Sequence, residues 1–542
     1  MTGAAARAGS PEYSGTIPRL LAAAADRDPD GTWLRTDETT LTFAEAVASV
    51  AGLAGALRSA GVQRGDLIMM TARTTPPYLL CWLALGALGA VAVPVNPRSA
   101  APELAGLVRQ VQPRALLSDV DLAGLVDAAV AHGLPELGVL DVDLLLVAAS
   151  GAGDAAGLPD VAGPDDVAVL IPTSGTTGRS KLVMQTHRAY AMAGEGFPFW
   201  MELTSADRLM TSLPLFHINA PAYSVMGSLA CGAGLVLAER FSASTFLDVA
   251  RRHGATEFNA IGAMLEILMR QPERPDDADT ALRLCYTGPA PERDRQLEIE
   301  QRFGLRIVVG YAMSESPYGL IWPRGRRPFG TLGTVRQHPV LGTVNQARIV
   351  TQAGAVGTAG DTGELELRNP VLTPGYLGMP AETAALFHDG WLRTGDLVSA
   401  GADGTYTFIA RVKEVIRRRG ENLSPLEVED VLAAHPAVLE CAVVGVPSEL
   451  SEEEVKAFVV PAAGVHRLDL AELRDFAAER LAAFKVPRFW QQVSELPRTP
   501  TARVAKHRLP GGHPPGEYDA EARPADAALP AQENRLAKEN SD

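Results

Sequence analysis

The chain has 542 residues, 46% of them hydrophobic and 21% charged, the composition of an ordinary globular protein long enough for two or more domains with sizeable cores. A formal charge of −15 argues against general binding to nucleic acid or anionic membranes, so anionic ligands must be held by local basic groups. The four cysteines, Cys81, Cys231, Cys285 and Cys441, are far apart and match neither zinc-ligand spacing nor a disulfide framework, which points to the reducing cytoplasm.

Residues 1–14 lack the apolar core of a signal peptide and read as a disordered tail. Residues 43–60 carry apolar side chains at helical spacing, and "GVQRGDLIMMTA" then reads as a turn and a buried strand. The run "YLLCWLALGALGAVAVPV", Tyr78 to Val95, is membrane-like but holds two glycines and a proline without flanking charge bias. It reads as a buried helix followed by a strand, with no membrane span. Helix and strand alternate to about residue 310, which predicts an α/β core with largely parallel sheets.

Within that core, "VAVLI" at Val167–Ile171 predicts a strand, followed by the hydroxyl-rich loop "TSGTTGRSK" from Thr173 to Lys181 and a helix start after Thr186. Glycine-freed backbone N–H groups, hydroxyls and one lysine suit a polyphosphate. The spacing is not that of a Walker loop, because Gly175 and Gly178 are three apart and Leu182 follows Lys181. From about residue 330 the texture becomes Gly/Thr/Val-rich, as in an antiparallel β-subdomain, with a hairpin signal at Asp403-Gly404. A small α+β unit follows, with Ser424, Pro425 and Glu427 resembling a capped helix start. The Pro/Ala/charge-rich residues 509–542 read as a disordered, dispensable tail.

Several motifs in order resemble the adenylate-forming superfamily: acyl- and aryl-CoA synthetases, peptide-synthetase adenylation domains and luciferases. They are "TSGTTGRSK", "LPLFH" (Leu213–His217), "YTGPAP" (Tyr286–Pro291), "YAMSES" (Tyr311–Ser316), "WLRTGDL" (Trp391–Leu397) and "ARVKEVIRRRGENLSPLEVE" (Ala410–Glu429). The resemblance implies a large N-terminal AMP-binding domain of α/β layers with a β-rich subdomain (15–409), a hinge (410–413) at Lys413, and a small mobile α+β C-terminal domain (414–508). It also implies ATP, Mg²⁺ and coenzyme A as ligands, with an oxyanion attacking the α-phosphate before a nucleophile displaces AMP.

On this resemblance Thr173, Ser174, Gly175, Thr176, Thr177, Gly178 and Lys181 would hold the β- and γ-phosphates. Glu315, after Ser314, would ligate Mg²⁺, as a hard carboxylate beside phosphate oxygens should. Tyr311 would lie against adenine, with Gly288 and Pro289 allowing close backbone approach. Asp396 would take the ribose hydroxyls, with Arg411 adding a contact. His217 reads either as an acyl-site gate or as a core imidazole. The acyl pocket would include His217, Asn219, Ala220, Tyr223, Ser316, Pro317 and Tyr318, suited to an aryl or medium-sized acid. The basic run Arg417–Arg419 is either a coenzyme A phosphate contact or a solvated face. One departure stands out in "LPRTPTARVAKHRL": Ala502 and Arg503 occupy the family's Gly-Lys, whose lysine bridges substrate and α-phosphate. Arg503 keeps the charge as a planar fork, and Lys506 lies three residues on.

Three functions are compatible with these residues. The first is an ATP-dependent ligase that adenylates an acid and passes it to coenzyme A. The second is a diazotase that adenylates nitrite and transfers the nitroso group to an aromatic amine. The third is a nucleotide-binding homologue that has lost catalysis.

Overall fold

The computed structural model describes residues 15–131, 138–151, 157–173, 180–288, 291–412, 414–418, 421–447, 453–481, 483–498, 504–511 and 516–521. The chain divides into two compact units, Met1–Phe408 and Ile409–Asp542.

The larger unit is built on layered α/β sheets. One sheet has six strands in the order Gly138–Asp141, Ala115–Ser118, Leu67–Thr71, Val91–Pro94, Val167–Thr173 and Lys181–Thr186. All neighbours in it are parallel except the last pair. A nine-stranded sheet is parallel through its centre and antiparallel at both ends, where Thr32–Arg35 meets Thr40–Thr42 and Arg306–Met313 meets Ser316–Ile321. The helix Phe43–Ser59 starts from a full capping box, with Thr42 and Glu45 satisfying each other's backbone N–H groups. Pro76–Leu88 is apolar on every side, and every residue from Tyr78 to Leu88 is buried, because the helix is enclosed on all faces. It ends at Gly89 (φ 67°), and the chain returns as the strand Val91–Pro94. Among the described residues no helix is long and apolar enough to cross a membrane.

The hydroxyl-rich loop is followed by a strand that the sequence pattern did not reveal. Lys181–Thr186 folds back on Val167–Thr173 with Thr173 opposite Lys181, and the helix His187–Met201 begins only afterwards. The β-subdomain is antiparallel, with Gln346–Val350, Thr362–Arg368, Trp391–Ala400 and Phe387–His388 in sheet order. Gly404 (φ 80°) forms the expected turn, where Asp403 accepts hydrogen bonds from Thr405.

The smaller unit packs the helices Pro425–Ala433 and Leu470–Ala478 with a sheet in the order Val438–Pro447, Glu453–Pro461, Phe489–Gln492 and Tyr518–Asp519. Its core includes the fully buried Trp490. The helix starts at Pro425 as expected, but Ser424 does not cap it: its hydroxyl donates to the Ile409 carbonyl at 2.6 Å.

The fourth strand corrects the expectation that everything from 509 is a disordered tail. Tyr518–Asp519 pairs antiparallel with Phe489–Trp490. Glu517 meets the buried Lys456 ammonium at 2.5 Å, Asp519 meets Arg488 at 3.0 Å, and Glu521 meets Arg418 at 3.2 Å. Composition alone hides this, because the segment is recruited by buried cations that need anions, not by an apolar stripe. Arg418 is 2% exposed and also pairs with Glu454 at 2.5 Å, so it is neither solvated nor turned towards a ligand.

Candidate active site

Thr173 and Lys181 stand opposite each other at the mouth of the hairpin, where the Thr173 hydroxyl donates to the Lys181 carbonyl at 3.3 Å. Ser174, Gly175, Thr176, Thr177 and Gly178 lie outside the described residues, as do Pro289, Lys413 and Arg503. The Lys181 ammonium sits 4.5 Å from the ring centroid of Tyr376. The Tyr376 phenol donates to Glu315 Oε1 at 2.9 Å. Burial and the Glu315 carboxylate both push that phenol upward, so it stays a neutral donor at ordinary pH.

Tyr376 and Thr373 were not found from sequence. They are placed by a stretch that docks on the strand Lys181–Thr186. Met184 donates to the Gly375 carbonyl at 3.0 Å, and the Leu377 N–H donates to the Leu182 carbonyl at 2.9 Å. The Thr373 hydroxyl bonds the Met184 carbonyl at 2.6 Å, and its N–H donates to the Glu315 carbonyl at 2.8 Å. Gly375 (φ 134°) is required there, since a Cβ would stand 2.3 Å from the Thr383 side chain. Ser314 is fixed through its carbonyl, which accepts from Gln185 at 2.5 Å. One cation, one carboxylate and a neutral phenol thus meet at the end of the loop expected to hold phosphates. Among the described residues no cluster of three or more His, Cys, Asp or Glu could hold a metal. Glu315 offers one hard carboxylate oxygen set beside Tyr376.

Tyr311 and Asp396, expected at the adenine and the ribose, touch each other directly. The Tyr311 hydroxyl donates to Asp396 Oδ2 at 2.5 Å. Asp396 is 1% exposed, and its N–H donates to Thr394, whose hydroxyl in turn bonds the Leu365 carbonyl at 2.7 Å. Arg411 is exposed and belongs to the smaller unit. Gly288 is demanded by a neighbouring strand: a Cβ there would stand 2.4 Å from the Gly310 carbonyl. Lys506 pairs with Glu429 at 2.8 Å and Glu414 at 3.5 Å, so it is already engaged within its own unit.

Of the acyl-pocket residues, Ala220, Tyr223, Ser316 and Tyr318 are buried. His217 is half-buried with its ring 4.5 Å from that of Phe216, and Asn219 accepts from Asn259 at 2.6 Å. Asn369 donates to the Ser316 hydroxyl at 3.2 Å. The Tyr223 phenol donates to the Pro317 carbonyl at 2.6 Å, which joins two segments of the expected lining. Between them lies Arg336, fully buried and unforeseen. Its Nη1 donates to Tyr223 at 2.8 Å and to the Pro317 carbonyl at 2.9 Å, its Nε to the Leu320 carbonyl at 3.0 Å, and its Nη2 to the Tyr286 phenol. The rings of Trp200 and Tyr223 lie 4.6 and 5.0 Å from the guanidinium carbon. In sequence, "GTVRQHP" offers only an arginine in a β-rich stretch, which usually marks a solvated face.

Known proteins match this arrangement along most of the chain. Residues 21–377 match the AMP-binding enzyme family, and residues 427–503 match the AMP-binding enzyme C-terminal domain. A sulfoacetate–CoA ligase of Cupriavidus necator is 32% identical over 517 residues, covering 92% of this chain and 98% of the relative. A crotonobetaine/carnitine–CoA ligase of Salmonella choleraesuis is 31% identical over 472 residues, covering 83% and 89%. The ATP-bound crystal structure of MatB from Rhodopseudomonas palustris superposes with a TM-score of 0.80 at 28% identity, covering 91% of this chain and 97% of that one. The chain therefore belongs to the AMP-binding enzymes, the adenylate-forming superfamily, and is an ATP-dependent, AMP-forming ligase.

Proposed function

We propose that this ligase activates an aryl or medium-sized carboxylic acid as its acyl-adenylate and passes the acyl group to the thiol of coenzyme A, in the cytoplasm. The observation that carries the reading is the meeting of Lys181, Tyr376 and Glu315 at the mouth of the hydroxyl-rich loop. Lys181 supplies a compact positive charge for the departing pyrophosphate. Tyr376 holds the Glu315 carboxylate by one oxygen, and the remaining lone pairs suit Mg²⁺, which when bound neutralises charge on the polyphosphate. Asp396, oriented by Tyr311 and Thr394, accepts the vicinal ribose hydroxyls. Arg503 takes the place of the family lysine and steadies the charge on the α-phosphate. His217 borders the acyl group.

The relatives support transfer to coenzyme A by their names, but they do not choose the acid. One is named for an acid bearing a sulfonate and another for acids bearing a quaternary ammonium. The nitrite-activating and non-catalytic alternatives have no observation in their favour. Pyrophosphate release across a panel of carboxylic acids, with and without coenzyme A, tests the reading. Acid-dependent release and an acyl thioester product support it. Release that needs nitrite, or none with any acid, overturns it.

A further inference from the structure

The Arg336 cage has a surplus of hydrogen-bond donors and a charge with no counterpart. A guanidinium has five N–H donors. Four find acceptors here, all neutral: two carbonyls and two phenols, with the Pro317 and Tyr223 oxygens sharing Nη1. No carboxylate of the described residues lies within ion-pair distance of Arg336. The Tyr318 phenol, fully buried with its ring 4.9 Å from the same Trp200 that lies against Arg336, has no hydrogen-bond partner. Buried charges are ordinarily paired, and buried hydroxyls bonded. Here the positive charge, one guanidinium hydrogen and the Tyr318 hydroxyl all await an acceptor.

The cage also sits beside the residues of the reaction. Gly310, whose added Cβ would stand 2.9 Å from Arg336 Nη2, immediately precedes Tyr311. Pro317, whose carbonyl Arg336 bonds, lies two residues beyond Glu315. Successive strand residues advance by only about 3.3 Å. The cage is therefore tied directly to the two segments expected to hold the adenylate and its metal.

We propose that the acid activated here carries a second anionic group, a carboxylate or sulfonate remote from the carboxylate that is adenylated, and that Arg336 selects it. The inference rests on the ligase reading above and narrows its substrate class. Arg336 offers a planar donor, Tyr318 adds a neutral one, and the surrounding rings exclude water, which strengthens a charge-assisted bond. An acid with a distal quaternary ammonium would meet a like charge in the same enclosure and be rejected.

The test uses the full chain and measures kcat/KM for pyrophosphate release with matched pairs: butyrate against succinate, valerate against glutarate, benzoate against terephthalate. 4-(Trimethylammonio)butyrate is the cationic control. The diacid of at least one pair should be favoured roughly 10- to 100-fold, the kinetic equivalent of one hydrogen bond to a charged group. Arg336→Met should bring that ratio towards one, and Arg336→Lys should keep part of it. Tyr318→Phe, which deletes a hydroxyl without opening a cavity, should lower the ratio even if Arg336→Met fails to fold. Monoacids used as well as diacids by the unaltered protein, preference for the cationic acid, or a ratio that survives Arg336→Met would each overturn the proposal. Silence with every acid would instead overturn the ligase reading and the proposal with it, a result distinguishable from turnover without preference.

Discussion

Two buried cations in this protein are treated in opposite ways. Lys456, in the smaller unit, is fully buried and meets Glu517 at 2.5 Å, while nearby Arg418 has both Glu454 and Glu521. Arg336, in the larger unit, is equally buried but has only phenols, carbonyls and aromatic faces. The first arrangement closes on itself: each charge is balanced by the chain, and the pairing ties a late segment into the sheet. The second bonds only neutral groups, leaving one guanidinium hydrogen and the charge unmatched. A charge balanced internally belongs to stability, and removing its partner should destabilise the fold. A charge left for a ligand belongs to function, and changing it should move substrate preference more than stability.

The largest effect should come from the closed pair. Glu517→Gln removes the carboxylate that meets the buried Lys456 ammonium, and unfolding by urea should show a loss of about 3–5 kcal/mol. Cutting the chain after residue 511 should do the same, whereas cutting after 521 should not. A silent Glu517→Gln would remove the contrast altogether.

Arg503→Ala tests a charge proposed for chemistry. It should slow adenylation by about 2–4 kcal/mol of transition-state stabilisation and leave the urea midpoint unmoved. Transfer from a preformed adenylate should suffer much less. Arg503→Lys refines this: an unchanged or raised rate marks a site that accepts the compact ammonium, and a fall marks one that needs the two-pronged fork. Asp396→Ala should weaken ATP binding by roughly 1–3 kcal/mol by calorimetry, because the ribose hydroxyls lose their acceptor.

Arg336→Met stands between the two kinds of residue. Stability should fall by only about 1–2 kcal/mol in urea, since neutral acceptors are left behind and no carboxylate is stranded. A loss as large as that of Glu517→Gln would make Arg336 a structural charge like Lys456. The smallest effect is expected from Tyr376→Phe, which frees one oxygen of Glu315. The apparent affinity for magnesium-dependent turnover should weaken by about 0.5–1.5 kcal/mol, with the fold intact.

Much of this was legible in the residues themselves. Periodicity marked the helix Phe43–Ser59, a continuous apolar run marked the buried helix Pro76–Leu88, and the change of texture near 330 marked the antiparallel subdomain, because those signals are local. The motif order singled out Lys181, Glu315, Tyr311 and Asp396; the fold places Lys181 and Glu315 on either side of Tyr376 and Tyr311 against Asp396. Only the tertiary structure decided the rest. The short strand Lys181–Thr186 is apolar in a way that suits either a strand or a helix, and its partner strand settles the matter. Tyr376 joins the site through backbone pairing across nearly two hundred residues, Tyr518–Asp519 joins a sheet because buried cations call for its acidic flanks, and Arg336 turns inward where its local sequence suggests a surface. A side chain's electrostatic partners are chosen by distance in space, and no local pattern of residues records that distance.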